Sequence, residues 1–231
     1  MNVLAFSLFG PAPIYIAGML SNARLAKEHY PGWRVVCYCD EFVPPQVKDT
    51  LTRMRVDVRR PDSDIANRMF DRFLVADDKD VERFVIRDAD SRLGPRERGA
   101  VDDWIASDKD FHVMSDHPCH WPPIGGGLWG AKGGAIKGMK KMILESRTAD
   151  QPYTKDTGYN KDQVFLRRCV LPLTKGRLLR HDSCCRDVYP DARSFPGGCC
   201  FDDNRFVGEV WDENDKPHPW HWQLRLNFMT T

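Results

Sequence analysis

Two carboxylates stand one residue apart in Arg87-Asp88-Ala89-Asp90, directly after the apolar run Phe84-Val85-Ile86. Aspartate oxygens are hard donors. A pair at this spacing suits Mg²⁺ or Mn²⁺, held directly or through water, with positions left open for phosphate. The competing reading is a turn in which Asp caps the segment that follows. Arg72, within Met69-Phe70-Asp71-Arg72-Phe73-Leu74, carries a planar fork that pairs with phosphate or carboxylate oxygens. Its bland alternative is a surface ion pair with Asp77 or Asp78. Beside Asp116, His117 and His120 share a loop with Trp121, Pro122 and Pro123. That loop offers an aromatic face for a ring-shaped ligand, or a tryptophan packed into the core.

These residues need a frame, and the first ~110 residues supply one by alternating strand and helix. A strand over 3–9 ends at Gly10-Pro11, and an amphipathic helix runs from Pro13 to His29 until Pro31-Gly32 stops it. Arg34 to Cys39 forms the second strand, closed by Asp40. Pro44 and Pro45 open a helix that continues to about Arg53. Val56-Asp57-Val58 is a short third strand, Ile65 to Ala76 a helix, and Arg83 to Arg87 the fourth strand. A helix over Pro95 to Ser107 and a strand over Phe111 to Met114 follow. Such alternation predicts an α/β fold, a mostly parallel sheet with helices on both faces. Ligands then bind beyond the carboxyl ends of the strands, where Gly10, Asp40, Asp88 and Asp116 collect. After residue 120 the pattern loosens. Gly125 to Gly130 reads as a glycine-rich turn, Asp162 to Val170 as a helix, and Leu178-Leu179 as a short strand before His181. The tail from about Pro190 wraps the surface.

The whole chain narrows the classes. With 231 residues there is room for one well-buried domain. Lys and Arg number 34 against 33 Asp and Glu, so the basic excess that grips nucleic acid is missing. No apolar run reaches the roughly 20 residues of a membrane span. The apolar N-terminus reads as a strand rather than a signal peptide, which places the protein in the cytoplasm. Of the 8 cysteines, Cys37 and Cys39 are assigned to opposite faces of their strand. Cys184-Cys185 and Cys199-Cys200 lack the spacer of a zinc knuckle. The cysteines are therefore read as reduced, structural thiols.

Several segments, taken in chain order, resemble the GT-A glycosyltransferases. They are Ser7-Leu8-Phe9-Gly10, Tyr30-Pro31-Gly32-Trp33, Arg87-Asp88-Ala89-Asp90-Ser91-Arg92-Leu93, Asp116-His117-Pro118, Gly126-Gly127-Leu128-Trp129-Gly130 and Phe206-Val207-Gly208-Glu209-Val210. More narrowly, the chain is similar to the small glycosyltransferase domains that large algal viruses (chloroviruses) use on their capsid glycans. A viral origin would make its compartment the host cytoplasm. The resemblance implies a single Rossmann-like GT-A domain over 1–231, with a nucleotide-sugar half over 1–118 and an acceptor-side half with the tail over 119–231. It implies a UDP-sugar donor, a glycan or glycoprotein acceptor, and Mn²⁺ or Mg²⁺. Phe6, Ser7 and Leu8 would cradle the nucleotide, with Arg72, Arg87 and Asp88 also on the donor. Gly126 and Gly127 would admit close backbone approach. Asp88 and Asp90 would hold the metal, with His181 as a third ligand. Tyr159-Asn160-Lys161-Asp162-Gln163 resembles the element that faces the transferred sugar. One departure is that His181-Asp182-Ser183-Cys184 replaces the extended ending of the glycogenin-like enzymes.

On that reading an inverting transfer needs a carboxylate to take the acceptor's proton, Asp162 first and Asp116 second. Asp162 as the N-cap of its helix is the alternative. In a retaining enzyme Asp162 would face the sugar instead, and a diphosphate oxygen would take the proton. Arg72 and the metal would stabilise the departing diphosphate. Two rivals remain. A phosphatase of the haloacid dehalogenase type would use Asp88 as nucleophile, but there the motif opens the chain, whereas here it follows three strands. The other is a non-catalytic nucleotide- or sugar-binding protein.

Overall fold

In the computed structural model, which describes residues 1–120, 122–152, 160–184, 187–196 and 205–218, the expected alternation is present. It runs β1 (Asn2–Leu8), α1 (Pro13–His29), β2 (Arg34–Cys39), α2 (Pro45–Arg53), β3 (Asp57–Arg59), β4 (Arg83–Arg87), α3 (Pro95–Ala106) and β5 (Phe111–Ser115). Each of these three helices opens on a proline in its first turn, where the ring's fixed φ fits and the missing N–H is not needed. Then come β6 (Leu128–Lys132), α4 (Met139–Ser146), α5 (Lys161–Phe165) and β7 (Leu178–Asp182).

All seven strands join one sheet in the order β3-β2-β1-β4-β6-β5-β7, parallel throughout except for β6, which runs against both neighbours. Residues alternate between two cores. Val3, Ala5, Phe84 and Ile86 pack on one face with Phe70, Phe73 and Phe165. Leu4, Phe6, Leu8 and Val85 pack on the other with Met19, Ala100 and Trp104. From β1 the chain builds outward through β2 and β3, then returns to pair β4 on β1's other edge. The strand order therefore reverses between β1 and β4, and their carboxyl ends open a crevice at that point.

Several local expectations are corrected. The segment read as an α-helix over Ile65 to Ala76 is a 3-10 helix, Arg68–Asp77, capped by the Asn67 side chain accepting from the Met69 N–H at 3.1 Å. A three-residue turn stacks Phe70, Phe73 and Ala76 on the core side, and all three are buried. The glycine-rich turn ends at Gly127, and the next residues are β6. Gly130 sits so close to β4 that any Cβ would strike the Phe84 carbonyl. Helix α4 carries no expectation from the sequence. The segment read as a helix from Asp162 to Val170 begins at Lys161 and passes into a π-turn over Leu166–Val170. Its N-cap is Asn160, in the left-handed conformation with φ 61°, so Asp162 lies inside the first turn.

The cysteines need correction too. Positions i and i+2 of a strand face the same side, and Cys37 and Cys39 do, with their sulfurs 3.5 Å apart in a buried pocket. Cys37, Cys39, Cys119, Cys169 and Cys184 are free thiols. Trp121, Tyr159, Cys185, Cys199 and Cys200 lie outside the described residues. Among the described residues no helix is long and apolar enough to cross a membrane.

One buried charge gives the stability a pH signature. Asp71 accepts from the Asp62 N–H at 2.9 Å through one oxygen, while the other is buried without a hydrogen bond among the described residues. Burial pushes its carboxyl up to about 7. In the unfolded chain it titrates near ~4. A raised folded value means stability that is present at low pH and lost as pH climbs through 7. Asp71→Asn is therefore expected to flatten the fall in Tm between pH 5 and pH 8. The effect is on the order of 2–4 kcal/mol at the alkaline end, read by thermal unfolding of both proteins across that range.

Candidate active site

The crevice between β1 and β4 carries the carboxylate pair. Asp88 leaves the end of β4 with its side chain 45% exposed, and Asp90, half-buried, lines the same cleft with Ser7, Phe9 and Tyr15. Burial first, and then the neighbouring Asp88 charge, push Asp90 up to about 7. Across the cleft the triglycine turn presses directly on the acids. A Cβ on Gly127 would collide with the Asp88 carboxylate, and one on Gly126 with the Asp162 carboxylate. Glycine is required at both positions by contact, since neither has a positive φ.

Arg72 is the hub. Its backbone N–H donates to Ser7 Oγ at 3.1 Å, fixing the 3-10 segment to the end of β1. Its guanidinium pairs with Asp88 through Nη1 and with Asp162 through Nη2, the latter at 2.9 Å. Burial alone would weaken the guanidinium's hold on its proton, yet the two carboxylates overcome that and raise it. Asp162 is only 2% exposed, and burial raises its carboxyl against the opposing pull of Arg72. Gln163, next to it, reaches the cleft wall. The surface ion pair of Arg72 with Asp77 or Asp78 does not form. Asp77 instead caps α4 through the N–H groups of Met139 and Lys140.

The remaining expected residues lie elsewhere. Phe6 and Leu8 point into the core beneath α1, because strand alternation leaves only Ser7 of that trio facing the cleft. Arg87 has no exposed surface and is paired with Glu97 behind the site, so it does not reach a donor. Asp116 is fully buried and its oxygens are taken by Arg96, Ser183 and the Val207 N–H. It ties α3 to the segment over 205–210 rather than facing the cleft. His181 spends both ring nitrogens, one with His112 at 2.9 Å and one with Asp103 at 3.1 Å. Burial lowers both histidines, and neither lines the cleft. Among the described residues no cluster of three or more ligand side chains forms. His120 does border the cleft, and His117 stacks on Phe206 with ring centres 4.3 Å apart.

Sequence reasoning passed over Gly18. It sits inside α1 where any Cβ would strike the Ala89 carbonyl, which lets the helix pack on the Asp88–Asp90 turn. An isolated glycine in a helical pattern was the available signal. Gly18→Ala should raise helix propensity by about 1 kcal/mol yet lower net stability by roughly 1–3 kcal/mol through overpacking. Thermal unfolding checks the sign, since propensity alone would raise Tm.

A sheet wound outward from β1 and β4, with acids at the switch point and β6 inserted antiparallel, is the GT-A architecture. The chain is similar to a crystal structure of a glycosyltransferase involved in the glycosylation of the major capsid of PBCV-1, with a TM-score of 0.51 and 17% identity over 85% of this chain and 93% of that one. It is also similar to the galactosyltransferase LgtC in complex with donor and acceptor sugar analogs, with a TM-score of 0.51 and 12% identity over 79% of this chain and 74% of that one. At these identities the likeness is one of fold. No protein-family model matches the sequence, and no curated protein matches it.

Proposed function

We propose that this protein is a glycosyltransferase that moves a sugar from a UDP-linked donor to a glycan or glycoprotein acceptor, with a divalent cation held by Asp88 and Asp90. The observation that carries the reading is that Asp88, Asp90 and Arg72 line one cleft at the sheet's switch point, with Asp162 buried behind Arg72 and paired to it. The donor set fits such a cation. Two carboxylates meet in one cleft, and one of them is substantially exposed. When bound, Mn²⁺ or Mg²⁺ would neutralise charge on the diphosphate.

The protein's own groups account for the rest. The cleft encloses about 280 Å³ and shares Phe9 with a groove of about 930 Å³ that runs past Gly10, Asp40 and Phe42. On this reading the diphosphate and sugar would occupy the first and the nucleoside the second. Arg72 holds the buried Asp162 carboxylate against the triglycine turn, so that Asp162 would act on the sugar site from behind Arg72 and Gly126. The guanidinium also lies where it can stabilise a departing phosphate oxygen. His120 and the Gly208–Val210 edge form the acceptor side. In this reading His181, Asp116, Arg87, Phe6 and Leu8 serve the frame. The nucleotide half is the part up to residue 118, and the acceptor half begins at 119.

A thermal-shift screen of nucleotide sugars with and without Mn²⁺ tests this. Binding at 100 times Kd stabilises by about 2.7 kcal/mol, a rise of roughly 5–10 °C for a domain of this size. The rise is expected only when UDP-sugar and cation are both present. Equal shifts with and without cation would remove the metal from the reading.

A further inference from the structure

Arg87 stands beside Asp88 in sequence but turns away from it into the interior. Its Nη2 lies 3.0 Å from Glu97 Oε2 and donates to Ser91 Oγ at 3.1 Å. Its Nη1 donates to the Gly127 carbonyl at 2.6 Å. The chain of contacts continues at both ends. Ser91 Oγ donates to the Asp88 carbonyl at 2.9 Å, and the Tyr30 hydroxyl donates to Glu97 Oε1 at 2.9 Å. Arg87, Glu97, Tyr30 and Ser91 are all buried. Burial raises Glu97 while Arg87 opposes the shift, and burial with the Glu97 charge holds the Tyr30 proton firmly.

A buried ion pair is a poor source of stability, because desolvating two charges roughly cancels their attraction. What a planar fork supplies is direction. Here one guanidinium ties together the end of β4, the turn from Asp88 to Ser91, helix α3 and the triglycine turn. Gly127 is the sensitive partner, since its α-carbon already lies against the Asp88 carboxylate with no room for a methyl group. A shift of the Gly127 carbonyl therefore moves the wall that Asp88 rests on.

We infer that Arg87, backed by Glu97 and Tyr30, is a positioning residue that sets the Asp88 carboxylate against the triglycine wall and so sets the affinity of the cation site. The inference rests on the proposed assignment of Asp88 and Asp90 to that cation. Lysine cannot replace the fork, because a single ammonium cannot meet Glu97, Ser91 and Gly127 in three fixed directions.

The test titrates Mn²⁺ against full-length protein at a fixed concentration of UDP and reads the thermal shift, alongside Tm without ligand. Arg87→Lys is expected to raise the Mn²⁺ concentration for half-maximal shift about tenfold, the scale on which second-layer partners of metal ligands act. Tyr30→Phe touches nothing in the cleft, and should raise it roughly two- to fivefold by releasing one hydrogen bond on Glu97. If Arg87→Lys does not fold, Tyr30→Phe decides alone. Wild-type half-saturation in the folded variants, however far Tm falls, overturns the inference and leaves Arg87 a structural residue. A wild-type protein that gives no shift with Mn²⁺ and UDP together overturns the cation-site reading itself, and the inference with it.

Discussion

Arg72→Met is expected to lower Tm by roughly 10 °C and to abolish transfer. The guanidinium is buried between Asp88 and Asp162, and Asp162 has almost no contact with water. Breaking a buried pair by removing one partner costs about 3–5 kcal/mol, because the other charge is stranded, and each of those is worth roughly 2–4 °C at this chain length. Methionine keeps much of the stem's packing on Phe73, over whose ring the guanidinium sits at 5.6 Å. The loss would therefore report on charge rather than on a cavity. Without Arg72 the Asp162 carboxyl, already raised by burial, rises further. Stability tied to a raised carboxyl is present at low pH and fades as pH increases. The deficit should accordingly be larger at pH 8 than at pH 5.5. Arg72→Met/Asp162→Asn should recover much of the lost Tm and none of the activity. A double variant as unstable as the single would show that the two residues are not coupled.

Asp90→Asn should separate stability from function in the opposite direction. Burial and the neighbouring Asp88 charge both disfavour the Asp90 carboxylate. A neutral amide of the same shape relieves that strain, so Tm should stay level or rise. Donor binding and transfer should fall by at least about 100-fold, since a lost ligand or charge partner at a reacting centre is worth about 10²–10³ in rate. Asp88→Asn should match it in activity but also loosen Arg72, and so lose some stability. Thermal unfolding and nucleotide-release assays on the three proteins check both halves. A large fall in Tm for Asp90→Asn would mean that the acid is structural, a capping residue of its turn.

The frame up to residue 115 is legible because β1, β2, β4 and β5 are compact, mostly apolar runs, and the three α-helices among them open on proline. The second half is less so. Leu128-Trp129-Gly130-Ala131-Lys132 looks like the continuation of a glycine turn, yet it is a central strand, and Gly130 is there because β4 passes too close for a side chain. That reason exists only once the two strands are side by side. The site divides along the same line. Type, spacing and resemblance single out Asp88, Asp90, Arg72 and Asp162; the first three line one cleft, and Asp162 lies buried behind Arg72. Asp116, His181 and Arg87 have equally suggestive chemistry, but their partners are Arg96, Asp103 and Glu97, from helix α3. Nothing in the local sequence announces those pairings. What an ionisable residue does here depends on what folds opposite it.

The most direct test of the account is release of nucleoside diphosphate from a nucleotide sugar by the purified full-length chain, followed with Mn²⁺, with Mg²⁺ and with a chelator. The account predicts UDP from a UDP-sugar with either cation, none with the chelator, and none from Asp90→Asn under any condition. Free phosphate from simple phosphomonoesters, with nucleotide sugars left intact, would contradict it and place Asp88 in a phosphatase instead.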